Sequence, residues 1–139
     1  MWHTIEARGQ TALLLVLRVV YGWFFIESGW GKLQNLEQVA GFFESLDLPL
    51  PMITAAVIGV TELVGGALLA AGAGTRWAAV ALTATMLGAY ATAHVDDAFE
   101  SLTAFTEAAP FTYLLVSLVV LAFGAGRLSF DGWRSQRSS

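Results

Sequence analysis

Residues 11–33 read TALLLVLRVVYGWFFIESGWGKL, and the fold turns on how this stretch is read. Charge interrupts it only at Arg18, Glu27 and Lys32. The run is longer than the roughly 20 residues a helix needs to cross a hydrocarbon core of about 30 Å. A surface helix of a soluble protein would set a continuous polar face against its apolar stripe, and this run has none. As a secretory signal it is too long for a typical apolar region and lacks an A-x-A cleavage pattern, although Arg8 precedes it. The reading is a retained transmembrane helix.

Three comparable runs follow, at residues 52–73, 77–94 and 108–126, with no charged residue between Trp77 and Ala93 or between Ala108 and Gly126. The whole chain of 139 residues is 56% hydrophobic and 13% charged, against roughly 25% charged in an ordinary soluble domain. A soluble bundle with four such helices would have too little polar surface left to cover itself. The sequence therefore predicts one all-α domain over residues 1–139: a bundle of four transmembrane helices in the lipid bilayer.

Basic residues are retained in the cytoplasm during insertion and set the orientation. Arg8, Arg76, Arg127, Arg134 and Arg137 fall on one side of the predicted spans and Lys32 alone on the other. This predicts a multi-pass protein of a prokaryotic plasma membrane with both termini cytoplasmic. The opposite side carries Glu37, Glu44, Asp47, Asp96, Asp97, Glu100 and Glu107, an acidic surface that argues against a nucleic-acid partner. Between the first two runs, Leu36, Val39, Ala40, Phe43 and Leu46 recur at helical spacing with acids between them, until Pro49 and Pro51 close the segment. An interfacial amphipathic segment is expected there. Phe99, Leu102 and Phe105 suggest a similar element in the other acidic loop.

With no cysteine and two histidines far apart in sequence, thiol chemistry, iron–sulfur ligation and cysteine zinc sites are excluded, and no metal site is expected. The charges inside the runs need another account, because each costs several kcal/mol at bilayer depth unless paired or hydrated. At about 100° per residue, Arg18, Gly22, Phe25, Gly29 and Lys32 share one stripe of the first helix, and Ala55, Gly59, Glu62, Gly66 and Leu69 share one stripe of the second. The small residues let these two faces approach closely. Depths reckoned from the ends of the runs predict a buried Arg18–Glu62 ion pair, which either fixes helix register or belongs to a site. Lys32 lies near enough to the boundary to snorkel. Glu27 falls on the opposite side of its helix and, with the ladder Gly66, Ala70, Gly74, is the expected contact of a homodimer.

Thr83, Met86, Tyr90 and His94 line one side of the third helix, and Tyr113 and Ser117 one side of the fourth. A cavity among the four stripes would combine aromatic walls with a few hydrogen-bonding groups and suit a quinone or another amphipathic ligand. Arg18, Lys32, Glu62, Tyr90 and His94 are its candidate binding residues. The same pattern fits plain helix packing, and a tyrosine near a boundary also serves as an interface anchor.

The spacing Arg18-x3-Gly22-x2-Phe25-x3-Gly29-x2-Lys32-Leu33 resembles the opening signature of the DoxX family of membrane proteins. Leu48-Pro49-Leu50-Pro51, Glu62-Leu63-Val64-Gly65-Gly66, Gly72-Ala73-Gly74-Thr75-Arg76, Met86 and Gly124-Ala125-Gly126-Arg127-Leu128-Ser129-Phe130-Asp131 follow in the family's order, so the resemblance covers nearly the whole chain. It implies a four-helix membrane subunit associated with a quinone-linked or redox-stress oxidoreductase, acting with a membrane or soluble protein partner. It assigns no catalytic residue. Glu27 is not in the family pattern, and nothing carries over to it. Two other classes stay open: a scaffold or assembly factor without enzymatic activity, and a solute or proton carrier that would need several chains to enclose a polar path.

Overall fold

The computed structural model describes residues 1–138; Ser139 lies outside them. Every regular element among the described residues is helical: α1 (Trp2–Gln34), α2 (Leu36–Ser45), α3 (Pro51–Ala71), α4 (Thr75–Thr92), α5 (Val95–Glu100), α6 (Leu102–Glu107), α7 (Pro110–Phe123) and α8 (Phe130–Arg137). Helices α1 and α3 are long and apolar enough to cross a membrane. The expected third span is the 18-residue α4. The fourth is shorter than its apolar run, because Pro110 starts α7 and Gly124, at φ 76°, ends it after 14 residues. At 1.5 Å per residue α7 is about 21 Å long, less than the thickness of a hydrocarbon core.

The antiparallel pair α1–α3 is the spine. The buried residues of α1 are Leu14, Arg18, Gly22, Phe25 and Gly29, and those of α3 include Ala55, Gly59, Glu62, Gly66 and Leu69, so the two stripes with small residues do face inward. Their backbones touch. A Cβ added at Gly66 would lie 2.6 Å from the Gly22 carbonyl oxygen, and one at Gly29 would lie 2.5 Å from the Gly59 carbonyl oxygen and overlap the Leu63 amide. Gly66 and Ala70 therefore meet Gly22 within the chain, while Gly74 lies beyond α3 as the N-cap of α4.

Helices α4 and α7 complete the bundle through Leu82, Met86, Leu114 and Val120, which join Phe25 and Leu69 in one core. Helix α2 takes the place of the expected amphipathic segment and turns Ala40 and Phe43 inward. The second acidic loop forms two short helices, because Ser101 is extended and caps α6 through its Oγ. Phe105 consequently packs on the core while Phe99 and Leu102 stay exposed.

The other end of the bundle is closed by α8. Asp131 donates its N–H to the Gly72 carbonyl and accepts from the Gly74 and Thr75 N–H groups at the start of α4. Burial by itself would raise the Asp131 carboxyl, but the bonds from the Thr75 and Gly74 amides, with Arg134 nearby, hold it below the usual aspartate value.

Gly29→Leu should destabilise the protein by at least the roughly 1–3 kcal/mol typical of overpacking, since the obstacle is α3 backbone. Gly31→Ala, on the same helix with nothing within 4 Å of the new Cβ, should stabilise it by roughly 0.5–1 kcal/mol. Thermal unfolding of both variants in detergent checks the contrast.

Candidate functional site

Glu62 is the only carboxylate in α3 and is 3% exposed. Ser28 and Lys32, one helical turn apart on α1, both reach it. The Ser28 hydroxyl donates to Glu62 Oε2 at 2.9 Å, the Lys32 ammonium donates to the same oxygen at 2.7 Å, and Lys32 also donates to Ser28 Oγ at 2.7 Å. The contact of Gly29 with Gly59 and Leu63 makes this possible, because it draws the two axes close enough for a short serine to bridge them. A carboxylate buried this far is tolerated only with such partners.

The cluster opens into a cavity of about 440 Å³ bounded by α1, α2, α3, α4 and the start of α7. Its walls are largely apolar and aromatic: Phe25, Phe43, Ile58, Met86 and Tyr113. The Tyr113 ring stands edge-on to Phe25 and to Tyr21, at 4.9 and 5.7 Å. His94, at the end of α4, lines the same space, and its Nδ1 is 2.9 Å from Asp97 Oδ2. The donor set leaves capacity for a ligand. Two of the three ammonium hydrogens of Lys32 are engaged, Glu62 Oε1 accepts no hydrogen bond among the described residues, and neither does the Tyr113 hydroxyl make one.

The expected Arg18–Glu62 pair does not form. The contacts of Gly22 with Gly66 and of Gly29 with Gly59 set a register in which Ser28 lies opposite Glu62 and Arg18 opposite Gly72. Arg18 and Ser28 are separated by about 15 Å along α1 at the helical rise, beyond the combined reach of the two side chains. The ends of the apolar runs do not mark equal depth, because α1 continues well past the end of α3 at Ala71. Arg18, 1% exposed, instead donates from Nη2 to the Leu128 carbonyl at 2.6 Å, and the carboxylate whose field it feels is Asp131. Lys32 is Glu62's partner as well as a boundary residue.

Lys32, Glu62 and His94 thus come together at one cavity, whereas Arg18 and Tyr90 are placed elsewhere. The Tyr90 hydroxyl donates to the Phe105 carbonyl at 2.6 Å and its ring stacks on Phe105, which fixes α6 against α4. Tyr113, expected on the cavity-facing stripe of the fourth helix, lines the cavity, and Ser28 is a member of the site that sequence reasoning did not single out. Ser28 had a readable signal, its position four residues before Lys32. Glu27 is exposed on α1 in line with Trp23 and Trp30 and takes no part in the cavity.

The fold is an all-helical bundle with two helices long and apolar enough to cross a membrane and a carboxylate–ammonium pair beside a largely apolar cavity. The DoxX family model matches residues 13–95, and the chain belongs to the DoxX family of membrane proteins. It is 34% identical over 117 residues to "Putative oxidoreductase CatD" of Bacillus subtilis (strain 168), covering 84% of this chain and 83% of that one. It is also 30% identical over 132 residues to an uncharacterized protein of Haemophilus influenzae (strain ATCC 51907 / DSM 11121 / KW20 / Rd), covering 91% and 86%. No solved structure matches the chain.

Removing one member of the Lys32–Glu62 pair should cost more than removing both. Lys32→Met leaves Glu62 buried and unpaired, a loss that reaches roughly 3–5 kcal/mol for buried pairs in soluble proteins and is smaller here in proportion to the partial exposure of Lys32. Adding Glu62→Leu should restore much of it. Unfolding free energies for the two single variants and the double variant give the coupling, and additive losses would show that the pair contributes nothing.

Proposed function

We propose that this protein is a quinone-binding membrane subunit serving an oxidoreductase partner. The observation that carries the proposal is the Ser28–Lys32–Glu62 cluster opening into an aromatic-walled cavity of about 440 Å³, within the range of pockets that hold ring-sized ligands. A quinone is a flat apolar ring with an oxygen at each end. The cavity offers Phe25, Phe43 and Tyr113 to the ring faces, the remaining Lys32 N–H to one oxygen, and Tyr113 or His94 to the other. The redox chemistry resides in the quinone when it is bound; the chain orients the ring and keeps water from its faces. A relative whose printed name is that of an oxidoreductase supports the redox setting.

The fold then sits in the bilayer with four crossings and both termini in the cytoplasm. The short α7 crosses with the help of the non-helical segment after Gly124, where Ala125 is buried in protein, the condition under which non-helical backbone is tolerated at membrane depth. The cavity faces the side opposite the termini. Glu27 marks the α1 surface through which two copies associate, since an exposed carboxylate between two tryptophans is less costly against protein than against lipid.

Purified protein should bind a short-tailed benzoquinone in a calorimetric titration. Lys32→Met should weaken that binding by roughly ten- to a hundredfold, the value of a hydrogen bond from a charged donor, while Tyr90→Phe leaves it unchanged. Equal affinity in wild type and Lys32→Met would remove the site.

Orientation is checked separately. A reporter inserted beside Asp97 should be active only outside the cytoplasm, and one fused behind Arg137 only inside. Cytoplasmic activity from the Asp97 insertion would exclude the four-crossing topology.

A further inference from the structure

The loops at the α8 end of the bundle repeat each other. Gly72-Ala73-Gly74-Thr75-Arg76 follows α3 and Gly124-Ala125-Gly126-Arg127 follows α7, and all four glycines have positive φ, from 53° to 81°. Each loop sets two glycines at positive φ, and an arginine follows: Arg76 in the first turn of α4 and Arg127 directly after Gly126. The two are fastened together. Asp131 binds the first loop through three backbone groups, and the buried Arg18 holds Leu128, the neighbour of Arg127, by its carbonyl. The Arg76 guanidinium lies over Gly124 in the second loop, about 3.6 Å from where a Cβ would be.

This junction carries Arg76, over Gly124, and Arg127, three residues further along the same loop, both exposed. Neither has an ion pair or a hydrogen bond from its side chain among the described residues. Asp131, the carboxylate built into the junction, has both oxygens taken by backbone amides. The surroundings are apolar and equally uncovered: Trp77 is 82% exposed, and Leu128, Phe130 and Trp133 are about half exposed. Uncommitted guanidinium groups on an end of the bundle that also exposes tryptophan, phenylalanine and leucine match a lipid headgroup region, where charge meets phosphate and aromatic rings sit at the boundary. A free phosphate ion would have no use for the exposed apolar side chains.

We propose that Arg76 and Arg127 form a clasp for the phosphate of an anionic phospholipid on the cytoplasmic face, with Trp77 and Leu128 against the glycerol and upper acyl region. Guanidinium groups suit the task because each gives a planar pair of N–H donors to a phosphate. The glycine loops supply the fixed geometry: they are too tight to fold away, and Asp131 and Arg18 hold them in place from behind. The proposal rests on the inward orientation of this end and is independent of the quinone site.

The test uses full-length protein in phosphatidylcholine nanodiscs, with labelled phosphatidylglycerol as the probe. Wild type should enrich phosphatidylglycerol around itself. The double variant Arg76→Gln, Arg127→Gln should lose about tenfold or more of that preference. Arg134→Gln with Arg137→Gln removes the same charge from α8 and should keep most of it. Arg76→Lys with Arg127→Lys, which preserves charge and guards against a folding defect in the glutamine variant, should fall in between. Equal losses in the two glutamine variants would mean diffuse attraction and overturn the clasp. So would full retention in the Arg76/Arg127 variant. Inorganic phosphate competing as well as the lipid would assign the site to a soluble anion and overturn the lipid.

Discussion

Two helix backbones in direct contact set everything else in this molecule. Glycines at positions 22 and 29 of α1 and 59 and 66 of α3 leave no side chain between the chains, so the pair packs carbonyl against Cα along several turns. In lipid, where apolar side chains gain little by leaving the solvent, close packing of this kind is what holds helices together. The contact also fixes one register, because sliding α1 by a single residue would drive a larger side chain into backbone. Glu62 is buried at a point that only this register makes habitable, directly across from Ser28 and Lys32. The charge cluster, the cavity and the junction at the far end all inherit their positions from that contact.

Much of this was legible in the sequence. The stripes at helical spacing on α1 and α3 name most of the buried residues of both helices, and the stripe from Thr83 to Tyr90 names Thr83, Met86 and Tyr90 on α4 but misses Thr75, Ala78, Ala79 and Leu82. Gly72, almost at the end of the second apolar run, closes α3 in a left-handed conformation, with the Ala73 N–H returning to the Leu68 carbonyl. The pairing of charges was not legible. Periodicity fixes the face on which a residue lies, but the partner across the interface depends on axial offset, and the offset depends on where helices end in space. Helix α1 runs to Trp2 through residues that look like a polar leader, so the edges of apolar runs are poor depth marks. Tyr90 went astray for a related reason, since its acceptor is a carbonyl in α6, whose position depends on the extended break at Ser101.

The comparisons with known proteins bear on the same boundary between what a chain is and what it does. The glycines of the α1–α3 contact and the glycine loops after α3 and α7 are fold determinants. The cavity adds chemistry, because it combines a spare ammonium hydrogen, an uncommitted carboxylate oxygen and a tyrosine hydroxyl in an apolar space. That combination is costly to keep in a bilayer-facing bundle. A register lock would be served as well by a fully satisfied pair.

The two cations on the inward face of α1 illustrate the difference. Arg18 is sealed: it is 1% exposed, pinned to Leu128, and surrounded by the Gly72 turn and Ser129 so closely that no Cβ fits at position 72. Its charge ties together the loops after α3 and α7 and has no route to a ligand, so it acts as a structural bolt. Lys32 has the opposite setting. It is 26% exposed, satisfied in two of its three donors, and placed where α1, α2 and α3 part to leave space. An arginine there would fill the opening with a broad, planar group, whereas the slender ammonium stem leaves room beside Glu62. A sealed cation at one end and an accessible one at the other, on the same face of one helix, separate the part of the protein that holds its shape from the part that opens onto the cavity.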